Sequence, residues 1–224
     1  MTRVHEVAST YLPAGCGRPI ADCTAWTDAQ LLAVSLRSGA PGTPACALAR
    51  QLLEQHGGLA GVLAAAPDAL PACLGSSRRV ALAAILELSR RAIEQQLRER
   101  EVFGSPDAVK NYLQLHLARK PREEFAVLFL DAQNRLIAFD VMFRGTLTQT
   151  SVYPREIVAE ALRLGAAAVV LAHNHPSGTV NPSRADEALT QTLKSALAMV
   201  DVRVLDHIIV APGAALSMAE EGLV

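Results

Sequence analysis

The sequence has no surplus of charge: 21 basic and 22 acidic side chains in 224 residues leave a formal net charge of −1. A protein that grips nucleic acid mainly by neutralising phosphates needs a clear basic excess, so that mode is disfavoured for the chain as a whole. Cysteine is scarce and one-sided. Cys16, Cys23, Cys46 and Cys73 form no CxxC pair, and no residue beyond 73 offers a thiolate to a metal. They read as free thiols of a reducing compartment. Long apolar runs are missing too, since the most apolar stretch, Leu164 to Ala172, is far shorter than the roughly 20 residues of a membrane span. The opening MTRVHEVAST is not a secretory signal, because it holds no continuous apolar segment. Together these absences predict a soluble cytoplasmic protein with no membrane contact.

Half of the residues are hydrophobic and only 19% are charged, enough apolar surface to bury a substantial core. The length fits one large domain or two small ones, and the composition divides near residue 100. Leu31, Leu32, Leu36, Leu48, Leu52 and Leu53 recur at helical spacing. Glycine and proline at 39–44, 57–58 and 67–71 cut this region into short helices. The last of them, from about Arg78, runs on through alternating Arg and Glu to residue 101 as a solvated face. Residues 1–100 are therefore expected to form a small all-α domain.

From Phe103 the texture changes to strands alternating with helices. Strands are expected over 125–131, 136–143, 166–172 and 202–210, with helices over 153–164 and 186–199. Pro154 suits a first helical turn and Gly165 a helical stop. The alternation predicts an α/β layer structure over residues 103–224. Charge follows the same division: residues 1–100 hold 10 arginines against 8 acids, and residues 101–224 hold 11 bases against 14 acids.

The segment that carries chemistry is Ala172 to Asp186, AHNHPSGTVNPSRAD. His173 and His175 lie two apart at the end of an expected central strand. Strand side chains alternate faces, so both imidazoles project the same way, a good start to a divalent metal site. Pro176, Gly178 and Pro182 then turn the chain at the carboxyl end of that strand, where open α/β sheets place their sites. Asp186 offers a third ligand, yet Ser183 three residues before it also makes a capping box for the following helix. The carboxylate has two claims on it. A nucleobase deaminase is excluded, because it needs HxE followed by PCxxC, and here no glutamate completes such a pair and no cysteine lies beyond residue 73.

H-x-H followed by ten residues and Asp, with Ser183 at the matching internal place, resembles the JAMM/MPN metallopeptidase motif. More narrowly, FRGTL (143–147), VYPREIV (152–158), LAHNHPSG (171–178) and LDHIIV (205–210) resemble the RadC-like branch of that family, of UPF0758 type. The resemblance implies a cytidine-deaminase-like mixed sheet flanked by helices, carrying zinc on His173, His175 and Asp186 with water in the fourth position. It further implies a zinc-dependent hydrolase of peptide or isopeptide bonds acting on a peptide or protein substrate. In such enzymes a glutamate at the start of the first strand carries the proton. Glu123 and Glu124 both stand there; alignment of the strand favours Glu124, and a slip of one residue would turn the other to the site. Ser183 would donate to the developing oxyanion.

The branch also carries a DNA-repair label, and its leader domains resemble helix-hairpin-helix modules. That implies a second reading, a DNA-associated accessory protein whose helical half meets phosphate through Arg78 and Arg79. The corresponding stretch, Leu74 to Arg79, lacks the G-x-G hairpin. Among the remaining residues, Glu156 reads as a favourable charge at a helix N-terminus and His207 as a packed core histidine. Arg144 and Arg155 are candidates to line a cleft.

Overall fold

The computed structural model describes residues 23–36, 44–65, 69–99, 106–145 and 152–224. Cys16, the end of the FRGTL string and the junction at 100–103 lie outside them. The chain forms two compact units, 1–85 and 86–224. The first is helical: α1 (Asp28–Ser35), α2 (Pro44–His56), α3 (Leu59–Ala64) and the start of α4 (Gly75–Glu99). Its core includes Leu32, Leu36, Ala49, Leu52, Val62, Leu74 and Leu82, of which Leu32, Leu36 and Leu52 belong to the spacing that announced the helices. Thr27 caps α1 through a reciprocal box with Gln30.

In the second unit α5 (Pro106–Leu117) precedes β1 (Glu124–Leu130) and β2 (Leu136–Arg144); α6 (Pro154–Leu164), β3 (Ala168–Asn174), α7 (Arg184–Ala198), β4 (Arg203–Ala211) and β5 (Ala214–Ser217) follow. The strands make one mixed sheet in the order β2-β1-β3-β4-β5. β3 is parallel to β4, joined through α7, and every other pairing is antiparallel. Central β1 and β3 are buried along their whole length, which is why FAVLFL and AVVLA show no polar alternation.

Each face of the sheet has its own cover. Ala126, Leu128, Leu130, Val170 and Ala172 meet Leu97 of α4 and Val109, Tyr112, Leu113 and Leu117 of α5. On the other face Phe125, Val127, Phe129, Val169 and Leu171 meet Ile157 and Ala161 of α6 and Leu193 and Leu197 of α7. Continuing the second parity along β3 gives His173, so the first histidine belongs to the α6/α7 face. Helix α6 starts on Pro154 and stops at Gly165, whose φ of 65° lets the chain reverse into β3. Neither α5 nor β5 was expected from the sequence. Among the described residues no helix is long and apolar enough to cross a membrane.

Candidate metal centre

Ligand atoms of Glu123, His173, His175 and Asp186 all lie within 4.8 Å of one another. Three of these are the residues the HxH…D spacing proposed. His173 sits at the carboxyl end of β3 and is 2% exposed. His175 follows directly, its backbone N–H held by the Val210 carbonyl at 2.9 Å. Asp186 comes from the first turn of α7, which the β3–α7 connection returns to the same end of the sheet.

The two claims on Asp186 are both met, because a carboxylate has two oxygens. Oδ2 accepts from the Ser183 backbone N–H at 2.7 Å and the Ser183 hydroxyl at 2.6 Å, while Ser183 Oγ accepts from the Asp186 N–H at 3.2 Å. Oδ1 stands 3.3 Å from His173 Nε2. Burial works against the charge on Asp186, and the His173 and Ser183 neighbours more than offset it, so its carboxyl is held below the usual range. Ser183 was expected to aim its hydroxyl at an oxyanion; here that proton is committed to Asp186 instead.

The glutamate is placed differently from the expectation. Glu124 does not join the histidines; Glu123 does. Phe125 pairs with His173 across the β1–β3 ladder and its ring stacks against the imidazole, so residue 123, two before it, shares that face. Glu124 belongs to the opposite parity. Its carboxylate lies 3.7 Å from Lys120 Nζ and 3.4 Å from Arg144 Nε. Thus Arg144 is used as a charge partner of Glu124.

Asn174, between the two histidines, points the other way and is fully buried. Its Oδ1 accepts from Glu124 N–H at 2.8 Å and its Nδ2 donates to the Arg122 and Lys120 carbonyls at 3.1 and 3.4 Å. The Gly145 N–H holds the Glu123 carbonyl at 2.8 Å. Glu123 is therefore clamped on both sides by backbone and amide contacts, and Asn174 is a positioning residue that the sequence reading overlooked.

Proton positions on the imidazoles follow from their partners. His175 Nδ1 is 2.9 Å from the Thr179 carbonyl, which can only accept, so neutral His175 carries its proton on Nδ1. Its Nε2 lone pair then faces His173 Nε2 at 2.9 Å. His207 is fully buried beneath them, with Nε2 2.8 Å from His173 Nδ1 and Nδ1 2.6 Å from Thr190 Oγ1. Burial first, and then the neighbouring His173, push His207 down to about 3, so it is neutral at physiological pH. It is a core histidine, as expected, and it is also bonded to a site residue.

Tetrahedral ligands about 2 Å from a zinc ion lie about 3.3 Å from one another. The separations here, 2.9 Å between the two Nε2 atoms and 3.3 Å from His173 Nε2 to Asp186 Oδ1, lie close to that value. Two imidazoles with carboxylate oxygens form a donor set of the kind that first-row divalent metal ions take. The residues fit a metal ion.

Elsewhere, Arg79 turns its guanidinium to the Leu70 and Pro71 carbonyls at 3.0 and 3.2 Å. Arg155 lies over the Tyr153 ring at 5.0 Å and pairs with Glu156 at 3.0 Å.

Residues 103–223 match the family described as the RadC-like JAB domain. A UPF0758 protein of Acidovorax sp. (strain JS42) is 62% identical over 216 residues, covering 89% of this chain and 91% of the relative. One from Albidiferax ferrireducens is 62% identical over 211 residues, 89% and 90% of the two chains. The similarity to another from Variovorax paradoxus is 57% over 202 residues, with coverage of 89% and 90%.

Proposed function

The chain belongs to the RadC-like JAB-domain family, and on that premise we propose that it is a zinc-dependent hydrolase of peptide or isopeptide bonds. The observation that supports this most is the facing pair of imidazole Nε2 atoms, with carboxylates of Asp186 and Glu123 around them. The Thr179 carbonyl already holds the proton of neutral His175 at Nδ1, so His175 Nε2 offers a lone pair to an ion. His173, His175 and Asp186 would hold the ion and leave a fourth position open, the arrangement of catalytic rather than structural zinc. When bound, the ion supplies a Lewis acid that lowers the pKa of water toward ~7 and polarises a carbonyl.

The protein groups then divide the remaining work. Glu123 takes the proton of the attacking water and returns it to the leaving amine. Asn174 and Gly145 keep the Glu123 backbone in register with the histidines. Ser183 fixes the rotamer of Asp186, so Oδ1 stays turned to His173.

A panel of tagged peptides and isopeptide-linked conjugates tests this reading. At least one member is expected to be cleaved, with the rate falling more than about 100-fold on chelation and returning on addition of zinc. Cleavage that survives chelation, or a panel with no turnover by the zinc-loaded chain, would overturn it.

A further inference from the structure

Beneath the site runs a chain of buried polar contacts that no step of the hydrolysis uses. Thr190 Oγ1 lies 2.6 Å from the Asp186 backbone carbonyl and 2.6 Å from His207 Nδ1. Thr190 and His207 are both fully buried, one on α7 and the other on β4. Two oxygens at 2.6 Å repel unless a proton lies between them, and a carbonyl has none to give. The Thr190 hydroxyl must therefore donate to Asp186.

The rest follows in order. Thr190 Oγ1, having given its one proton, can only accept from His207, so the His207 proton sits on Nδ1. Neutral His207 then presents Nε2 as an acceptor, and His173 donates to it from Nδ1 across 2.8 Å. His173 Nε2 is left without a proton, its lone pair turned toward His175 and Asp186.

We propose that Thr190 and His207 are positioning residues that fix the tautomer of His173 and so keep its ligating nitrogen open to a metal ion. Nothing at the surface could do this, since His173 is 2% exposed and water has little access to its inner nitrogen. The relay ends on the backbone of Asp186, itself a member of the ligand set, so the first turn of α7 is tied to β3 and β4 through one hydroxyl. Its consequence for affinity rests on the zinc reading above; the tautomer does not, because it is a property of the metal-free chain.

The position of the His173 proton can be read by long-range proton–nitrogen correlation NMR on the full chain without metal. Wild type is expected to show His173 and His207 each protonated at Nδ1. Thr190→Val keeps the volume and removes the hydroxyl, so His207 loses its acceptor. Its proton then moves to Nε2, and His173 is expected to switch to the Nε2–H form. Zinc affinity, measured by competition with a chromogenic chelator, should fall about 10- to 100-fold, as for other groups that orient a ligand from behind. Thr190→Ser should restore both readouts. A wild-type His173 protonated at Nε2, or a His173 tautomer unchanged in Thr190→Val, overturns the proposal whatever the affinity does. If the tautomer switches while no form of the chain binds zinc, the relay stands and the zinc reading falls.

Discussion

Glu123→Gln is expected to lower hydrolysis by about 10²- to 10⁴-fold while the metal stays bound, the usual range for removing a positioned general base. Glu124→Gln is expected to leave hydrolysis within a few-fold of wild type. The contrast between adjacent residues follows from strand parity. Phe125 faces His173 across the ladder, and Glu123 shares its face, whereas Glu124 follows Ala126 and Leu128 toward α5. Losing the Glu124 carboxylate removes its contacts to Lys120 and Arg144, both partly exposed cations, at a cost of about 1 kcal/mol or less. Rates on any cleaved panel substrate, with metal content measured on the same samples, check both variants. Equal losses in the two would mean that the clamp on the strand entrance matters more than either carboxylate. A loss confined to Glu124→Gln would reverse the assignment.

Acid should destabilise the metal-free chain well above the range where carboxylates titrate. Folded His207 takes up a proton only near pH 3, because burial and then His173 disfavour its charge, while the unfolded chain takes it up near 6.5. Its folded pKa is depressed, so its contribution is fully present above about pH 6.5 and is lost as pH falls toward 3. Between those limits the unfolded chain holds one more proton, which lowers stability by about 1.4 kcal/mol per pH unit. From pH 7.5 to 4.5 that is about 3 kcal/mol. His116, pushed down to about 4 by burial and then by Arg90, acts in the same direction and less strongly, since it is partly exposed. Urea unfolding followed at the two pH values in the presence of chelator measures the difference. A flat profile would mean that His207 is solvated or paired with a charge in solution.

Much of the site was legible because its geometry is local. A strand places residues two apart on one face, so His173 and His175 had to converge whatever the sheet order, and helix-capping grammar put Asp186 in the first turn of α7. Strand parity could not be extended to the glutamates. β1 is buried on both faces, and its apolar run FAVLFL carries no polar mark to distinguish the side facing α7 from the side facing α5. Only the pairing of Phe125 with His173 decides between Glu123 and Glu124, and pairing is a long-range fact.

His207 was harder still. A register shift in the β3–β4 ladder falls between Val169 and Val170, opposite Val204 and Asp206, and it changes which residues of β4 share the face of His173. Counting from Val204 would therefore assign His207 to the wrong side. Thr190 left one signal that was not used, since it stands four residues after Asp186 and so on the same side of α7. The missed helix α5 was readable too, for Val109, Tyr112, Leu113 and Leu117 keep a helical period. The four-residue β5 carries too little pattern of its own; it forms because β4 offers an edge beyond the Gly213 turn.

Metal content tests the central claim most directly. Purified in buffer without chelator, the full chain is expected to carry about one equivalent of zinc. His175→Ala should carry almost none while giving the same circular dichroism, because two ligands do not hold a catalytic ion. Full retention of zinc in His175→Ala, or a wild-type chain that takes up none from a small excess, would contradict it.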